Sequence, residues 1–143
     1  MTELTASMLP EAAQLFTRVF NNEPWNDSWT QEQSLERLTD IFNTPHYAGA
    51  AYFENGKMIG LIMGRGEVYF DAMHFQVIEF CVDTEMQGRG IGRKMLADFS
   101  KLLKDKGVAY IHLITMRDAR TEGFYAKNGF STDEGMCHMT AKL

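Results

Sequence analysis

A chain of 143 residues is long enough for one sheet-and-helix core and too short for a second domain of comparable size. The apolar fraction of 45%, the charged fraction of 23% and 12 Gly against 3 Pro fit an ordered globule and exclude a linker-rich chain. A formal charge of -5 argues against a nucleic-acid partner, whose binders present a surplus of Lys and Arg, and leaves cationic small molecules as easier partners.

In chain order, the first expected helix follows Pro10, with Ala12, Leu15, Phe16, Val19 and Phe20 at helical spacing. Thr30 and Gln33 have the spacing of a capping box, and Leu35, Leu38, Ile41 and Phe42 mark a second helix that ends near Pro45. Between them runs a polar, acidic and aromatic loop, Asn21 to Trp29, with Trp25 and Trp29 close together. Strands at Tyr47 to Phe53 and Met58 to Met63 flank Asn55-Gly56, a pair suited to a two-residue hairpin turn. The apolar run from His74 through Val82 reads as a buried strand interrupted by Glu79. Met95, Leu96, Phe99, Leu102 and Leu103 trace a helix stopped by Gly107, and a strand is expected from Val108 to Thr115, completing a βαβ unit. A short helix over Thr121 to Asn128 and a last strand or hairpin from Phe130 to Leu143 close a single domain, 1–143. With no leader-like amino terminus and no run of eighteen apolar residues, the expectation is a cytoplasmic protein with no membrane partner. Cys81 and Cys137 are expected to be reduced.

The strand-to-helix junction reads Gln87, Gly88, Arg89, Gly90, Ile91, Gly92, Arg93, with three alternating glycines where a helix begins. Absent side chains let phosphate oxygens approach the main chain, and the helix amino terminus adds unpaired donors and partial positive charge. Taken alone, the cluster is equally compatible with a merely tight turn. A Rossmann fingerprint would place its third glycine one residue later, and a P-loop would need a glycine five positions before Gly-Lys-Ser or Gly-Lys-Thr. Gln87, Gly90 and Gly92 do match the Gln/Arg-x-x-Gly-x-Gly/Ala signature of the GNAT N-acetyltransferases. Phe124-Tyr125 with Gly129-Phe130 resembles the same superfamily's Phe-Tyr-x-x-x-Gly-Phe segment. The order of elements resembles the family along essentially the whole chain. Asp118 departs from it, because many members carry Asn at that position, where it helps hold the cofactor or the loop.

The resemblance implies a GNAT fold of the α/β (α+β) class: a central mixed, mostly antiparallel sheet with a parallel splayed βαβ unit, flanked by about four helices. It implies transfer of an acetyl group from acetyl-coenzyme A, held by Gln87, Gly88, Arg89, Gly90, Ile91, Gly92 and Arg93, with backbone near Cys81 and Val82 along the pantetheine. It also implies that Tyr125 is the general acid for the leaving thiolate. It allows a homodimer, for which no residue here specifies an interface.

Glu79 is the candidate base or amine anchor, because desolvation in an apolar strand raises a carboxylate's proton affinity. A structural carboxylate paired with an Arg is the alternative reading. Cys81 invites a covalent acetyl-enzyme but has no His signature near it, so direct transfer is expected. His46, His74, His112 and His138 lack zinc-ligand spacing, and no metal is expected. Glu23, Trp25, Asp27 and Trp29 are candidates for the acceptor site, where carboxylates and aromatic faces suit an ammonium group. That loop with the glycine turn is similar to aminoglycoside 6'-N-acetyltransferases, and a polyamine or another amine fits equally. The function expected is N-acetylation of a small-molecule amine. A noncatalytic acyl-coenzyme A binding module and a protein or peptide acetyltransferase are the alternatives.

Overall fold

The computed structural model describes residues 1–143 as two compact units, 1–112 and 113–143. In the first, β1 (Thr2–Glu3) is followed by α1 (Leu9–Phe20), α2 (Gln31–Phe42), β2 (Tyr47–Glu54), β3 (Lys57–Val68), β4 (Met73–Val82), α3 (Ile91–Asp105) and β5 (Val108–Leu113). The strands stand in the order β1-β2-β3-β4-β5, and the first three pairings are antiparallel. The crossover through α3 between β4 and β5 is the connection a parallel pair needs. No helix is long and apolar enough to cross a membrane.

Local chemistry explains most boundaries. The Thr30 hydroxyl accepts from the Gln33 amide at 3.1 Å while the Gln33 side chain accepts from the Thr30 amide at 3.0 Å, so the capping box forms as expected. Asn55 and Gly56 both have positive φ, as a two-residue hairpin turn requires. β3 runs five residues beyond the expected Met63, to Val68. Its extension contains Gly64 and Gly66, which disguise a strand in sequence; a Cβ on Gly64 would lie 1.9 Å from the Gln76 carbonyl oxygen, so the neighbouring strand's approach demands glycine.

The sheet is buried on both faces. On one, Leu61, Met63 and Cys81 join Leu15, Phe16 and Leu38 of α1 and α2 in the core. On the other, Phe75 of β4 meets Phe99 of α3 edge-on at 5.6 Å. Residues 75 and 81 have the same parity and would share a face in an unbroken strand. They do not, because the β3–β4 register slips between Met63, opposite Glu79, and Gly64, opposite Val77, leaving Ile78 as an extra residue. This β-bulge turns Glu79, Cys81 and Asp83 toward α1 and α2.

The second unit holds α4 (Thr121–Lys127), and residues 128–143 contain no helix or strand. The expected last strand or hairpin from Phe130 to Leu143 does not form. Most of that segment is solvent-exposed, including Met136 and Met139, so it buries no apolar face that would offset the entropy of ordering a strand. A turn held by Asp133, whose carboxylate accepts from the Gly135 amide at 2.9 Å, further breaks the run.

Candidate active site

The glycine turn links β4 to α3 through a 3-10 turn at Thr84–Met86. Gly88 and Gly90 have φ of +76° and +77°, and a Cβ at either would meet nothing within 4 Å. These glycines therefore serve backbone conformation and an open approach, not close packing. Gly90 is the N-cap of α3 and offers no side chain to the first-turn amides, which include those of Ile91, Gly92 and Arg93. No carboxylate stands in that turn, whereas α1, α2 and α4 carry Glu11, Glu32 and Glu122 there. Uncapped donors, an unopposed helix dipole and open space beside two glycines fit a pyrophosphate such as that of coenzyme A.

The side chain of Gln87 donates to the Val82 carbonyl at 3.1 Å, tying the turn to the end of β4. Arg89 pairs with Glu54 at the β2–β3 hairpin, 3.3 Å away. Beneath the turn, the Asp83 carboxylate, only 2% exposed, pairs with Arg18 of α1 at 2.8 Å and Lys57 of β3 at 3.1 Å. Burial pushes its carboxyl up, but hydrogen bonds from Arg18, Lys57 and the Glu85 amide outweigh that and hold it below the usual range. Asp83 was not evident from sequence because its partners come from elements far away along the chain.

Glu79 is buried and ion-paired with Arg37 of α2. Both donated contacts, from Nε at 2.6 Å and from Nη2 at 2.5 Å, fall on the single oxygen Oε1. Burial raises its carboxyl above the usual range, Arg37 pulls it back, and Asp27 adds to the rise. The guanidinium carbon of Arg37 also lies 5.7 Å from the centroid of the Trp29 ring. Two places on, burial, followed by the charge of Glu79, pushes the Cys81 thiol far up. Such an environment disfavours the thiolate, the form in which a cysteine acts as a nucleophile.

A pocket of ≈ 620 Å³ opens beside this pair, lined by Asp27, Ser28 and Trp29 of the loop and by Gln33, Glu36, Arg37, Asp40 and Ile41 of α2. The loop is fixed by Asn21, whose side chain donates to the Trp29 carbonyl at 2.9 Å and accepts from its amide at 2.8 Å. The Trp29 indole donates to Asp27 at 3.0 Å. Of the four loop residues expected at an acceptor site, Asp27 and Trp29 line the pocket. Glu23 and Trp25 do not, and Trp25 packs on Phe20, 5.4 Å between ring centroids. Glu36, Arg37 and Asp40 were missed because they read as an ordinary solvated helix face, and only the fold turns that face into a pocket wall.

In the second unit, Tyr125 packs against Phe124 at 5.2 Å and Phe130 at 5.5 Å, and the Phe130 amide donates to the Tyr125 carbonyl at 3.1 Å. The motif is thus a local aromatic cluster that closes α4. Asp118 accepts from the amides of Arg120 at 2.8 Å and Thr121 at 2.7 Å, so the residue that departs from the family pattern serves as a cap for α4. Those backbone bonds hold its carboxyl below the usual range. No three His, Cys, Asp or Glu side chains converge as a metal site would need.

A five-stranded mixed sheet, an uncapped helix that follows its fourth strand and a carboxylate-walled pocket along α2 define an α/β protein with two candidate ligand-binding features. The sequence profile of the Acetyltransferase (GNAT) family matches residues 9–130, and the chain belongs to that family of acetyltransferases. No curated protein matches the sequence. Among solved structures, the fold is similar to an aminoglycoside acetyltransferase, meta-AAC0020, from an uncultured soil metagenomic sample, in complex with sisomicin. That likeness has a TM-score of 0.77 at 19% identity, covering 99% of this chain and 93% of that one. A GNAT family acetyltransferase of Staphylococcus aureus subsp. aureus USA300_TCH1516 gives 0.74 at 19% identity, covering 99% and 96%. An integron cassette protein of the Vibrio cholerae mobile metagenome, VCH_CASS6, gives 0.81 at 12% identity, covering 99% and 91%. At such identities the likeness is one of fold.

Proposed function

We propose that this acetyltransferase moves an acetyl group from acetyl-coenzyme A directly to a primary amine of a small cationic molecule. The observation that carries the reading is the pocket walled by Asp27, Trp29, Glu36 and Asp40, next to the buried Glu79. Carboxylates and an indole face attract an ammonium group and disfavour an anionic acceptor. In support, the structural neighbour meta-AAC0020 is an aminoglycoside acetyltransferase.

The amides of Ile91, Gly92 and Arg93, with Gly88, Gly90, Gln87 and Arg89 shaping the turn, would hold the pyrophosphate, and the backbone at Cys81 and Val82 the pantetheine. Acetyl-coenzyme A supplies an activated thioester. Glu79 would take the proton from the amine, directly or through water, and Tyr125 fills the family's role of proton donor to the departing thiolate. Burial of Cys81 favours direct transfer over a covalent acetyl-enzyme, so both substrates would be held together and transfer would draw much of its acceleration from proximity.

Thiol release across a panel of mono-, di- and polyamines, with neutral and carboxylate-bearing amines for contrast, tests the reading. Polycationic acceptors should give the highest kcat/KM. Tyr125→Phe should retain acetyl-coenzyme A affinity while turnover falls by about 10²- to 10⁴-fold. Glu79→Gln should lose its acid limb and recover part of its rate at high pH, where free amine accumulates. Preference for anionic acceptors, or wild-type rates in both folded variants, would sink the assignment.

A further inference from the structure

Arg37 lies between the Trp29 ring and the Glu79 carboxylate at the wall of the pocket. It lines the pocket, whereas Glu79, to which it is bonded, does not, so the carboxylate is reached from the pocket through the guanidinium. The guanidinium makes the two contacts that a substrate ammonium would use, a carboxylate oxygen on one side and the Trp29 ring on the other. It is the one cation among the lining residues, facing Asp27, Glu36 and Asp40.

The grip is also reversible in form. Both nitrogens converge on Oε1, so the bidentate fork that makes an arginine–carboxylate pair strongest is not used. The Arg37 side chain is 42% exposed, against 7% for Glu79, so a released guanidinium returns to water while the buried carboxylate requires an incoming cation in its place. Asp40, one helical turn farther along α2, lines the same pocket and takes part in no ion pair, so a swung guanidinium finds a second carboxylate at i+3.

We propose that Arg37 is a displaceable latch that determines acceptor specificity: it occupies the ammonium position between Trp29 and Glu79, and an acceptor reaches Glu79 only by driving it off. This deepens the proposed function and rests on that reading for the identity of the acceptor. A neutral or anionic compound has nothing with which to replace the guanidinium and meets a closed site. A cation competes for the same two surfaces, and a polycation adds contacts to Glu36 and Asp27 that favour the exchange.

The test is equilibrium binding of methylguanidinium, which cannot be acetylated under these terms of direct amine transfer, and of n-butylammonium to the full chain. It is followed by the indole N–H resonance of Trp29, assigned with Trp25→Phe. Removal of the resident competitor in Arg37→Gln should tighten both probes by about tenfold or more, the size of one charge-assisted hydrogen bond freed from competition. Adding Glu79→Gln should abolish the gain. If Arg37→Gln does not fold, Arg37→Lys replaces two contacts on Oε1 by one and should tighten binding several-fold. A folded Arg37→Gln, or failing that Arg37→Lys, that binds no more tightly than wild type overturns the latch. Kinetically, the KM for cationic amines should fall in the variant without a rise in kcat, a split that a merely structural Arg37 would not produce. The two readings fail separately. Tighter probe binding with no acetyl transfer to any amine removes the enzymatic reading, and normal transfer with no gain in binding removes the latch alone.

Discussion

Two glycines in the same backbone conformation, at opposite ends of α3, separate folding from cofactor binding in one experiment. Gly90 caps the amino terminus with φ +77°, Gly107 follows the carboxyl terminus with φ +83°, and a Cβ at either would touch nothing within 4 Å. Alanine at each therefore adds no clash and carries the same penalty, the roughly 1–2 kcal/mol of holding an L-residue in the left-handed region. For a chain of this size that corresponds to a fall in Tm of about 3 to 8 °C. The 15 residues of α3 put about 22 Å between the two ends. Only Gly90→Ala places a methyl group at the proposed pyrophosphate cradle, where losing one or two charge-assisted bonds at about 1.5–3 kcal/mol each weakens binding by about tenfold or more. Thermal melts paired with calorimetric titration of coenzyme A should show matched losses of stability and a loss of affinity in Gly90→Ala alone. Equal coenzyme A affinity in the two variants would refute the assignment of this turn to phosphate binding.

Two further outcomes bear on the carboxylate and thiol under the sheet. Asp83→Asn should cost about 1–2 kcal/mol at neutral pH, because Arg18 and Lys57 lose their buried partner but remain partly exposed to water. Since the folded-state carboxyl of Asp83 sits below its unfolded value, the wild-type advantage is fully present above the unfolded value near 3.8 and is lost as pH falls through the folded one. Urea midpoints measured from pH 6 downward should therefore converge for the two proteins, and a constant gap would contradict the pairing. Cys81→Ala should keep turnover within a few-fold of wild type while lowering stability by about 1 kcal/mol, and loss of all transfer in a folded variant would reinstate a covalent route.

The residue pattern determined the elements whose causes are local. The Thr30 capping box, the Asn55-Gly56 turn, the Gly107 stop and the glycine turn before α3 depend on side chains a few positions apart, so spacing alone exposed them. Family membership was legible for the same reason, because the two motifs that carry it are each contiguous.

Tertiary structure decided what depends on distant partners. Glu79 was legible as an anomaly in an apolar strand, but its partner lies 42 residues away on α2, and no period in the sequence links the two. The bulge at Ile78 reverses the parity of β4, so an alternation read from Phe75 assigns Cys81 to the wrong face. Charges on α2 that look like solvated surface become the wall of a pocket once the Asn21 side chain folds the Asp27–Trp29 loop across them. Residues 130–143 show the converse: their pattern permits a strand, but a strand needs a partner and a buried face, and neither is a property of the segment itself.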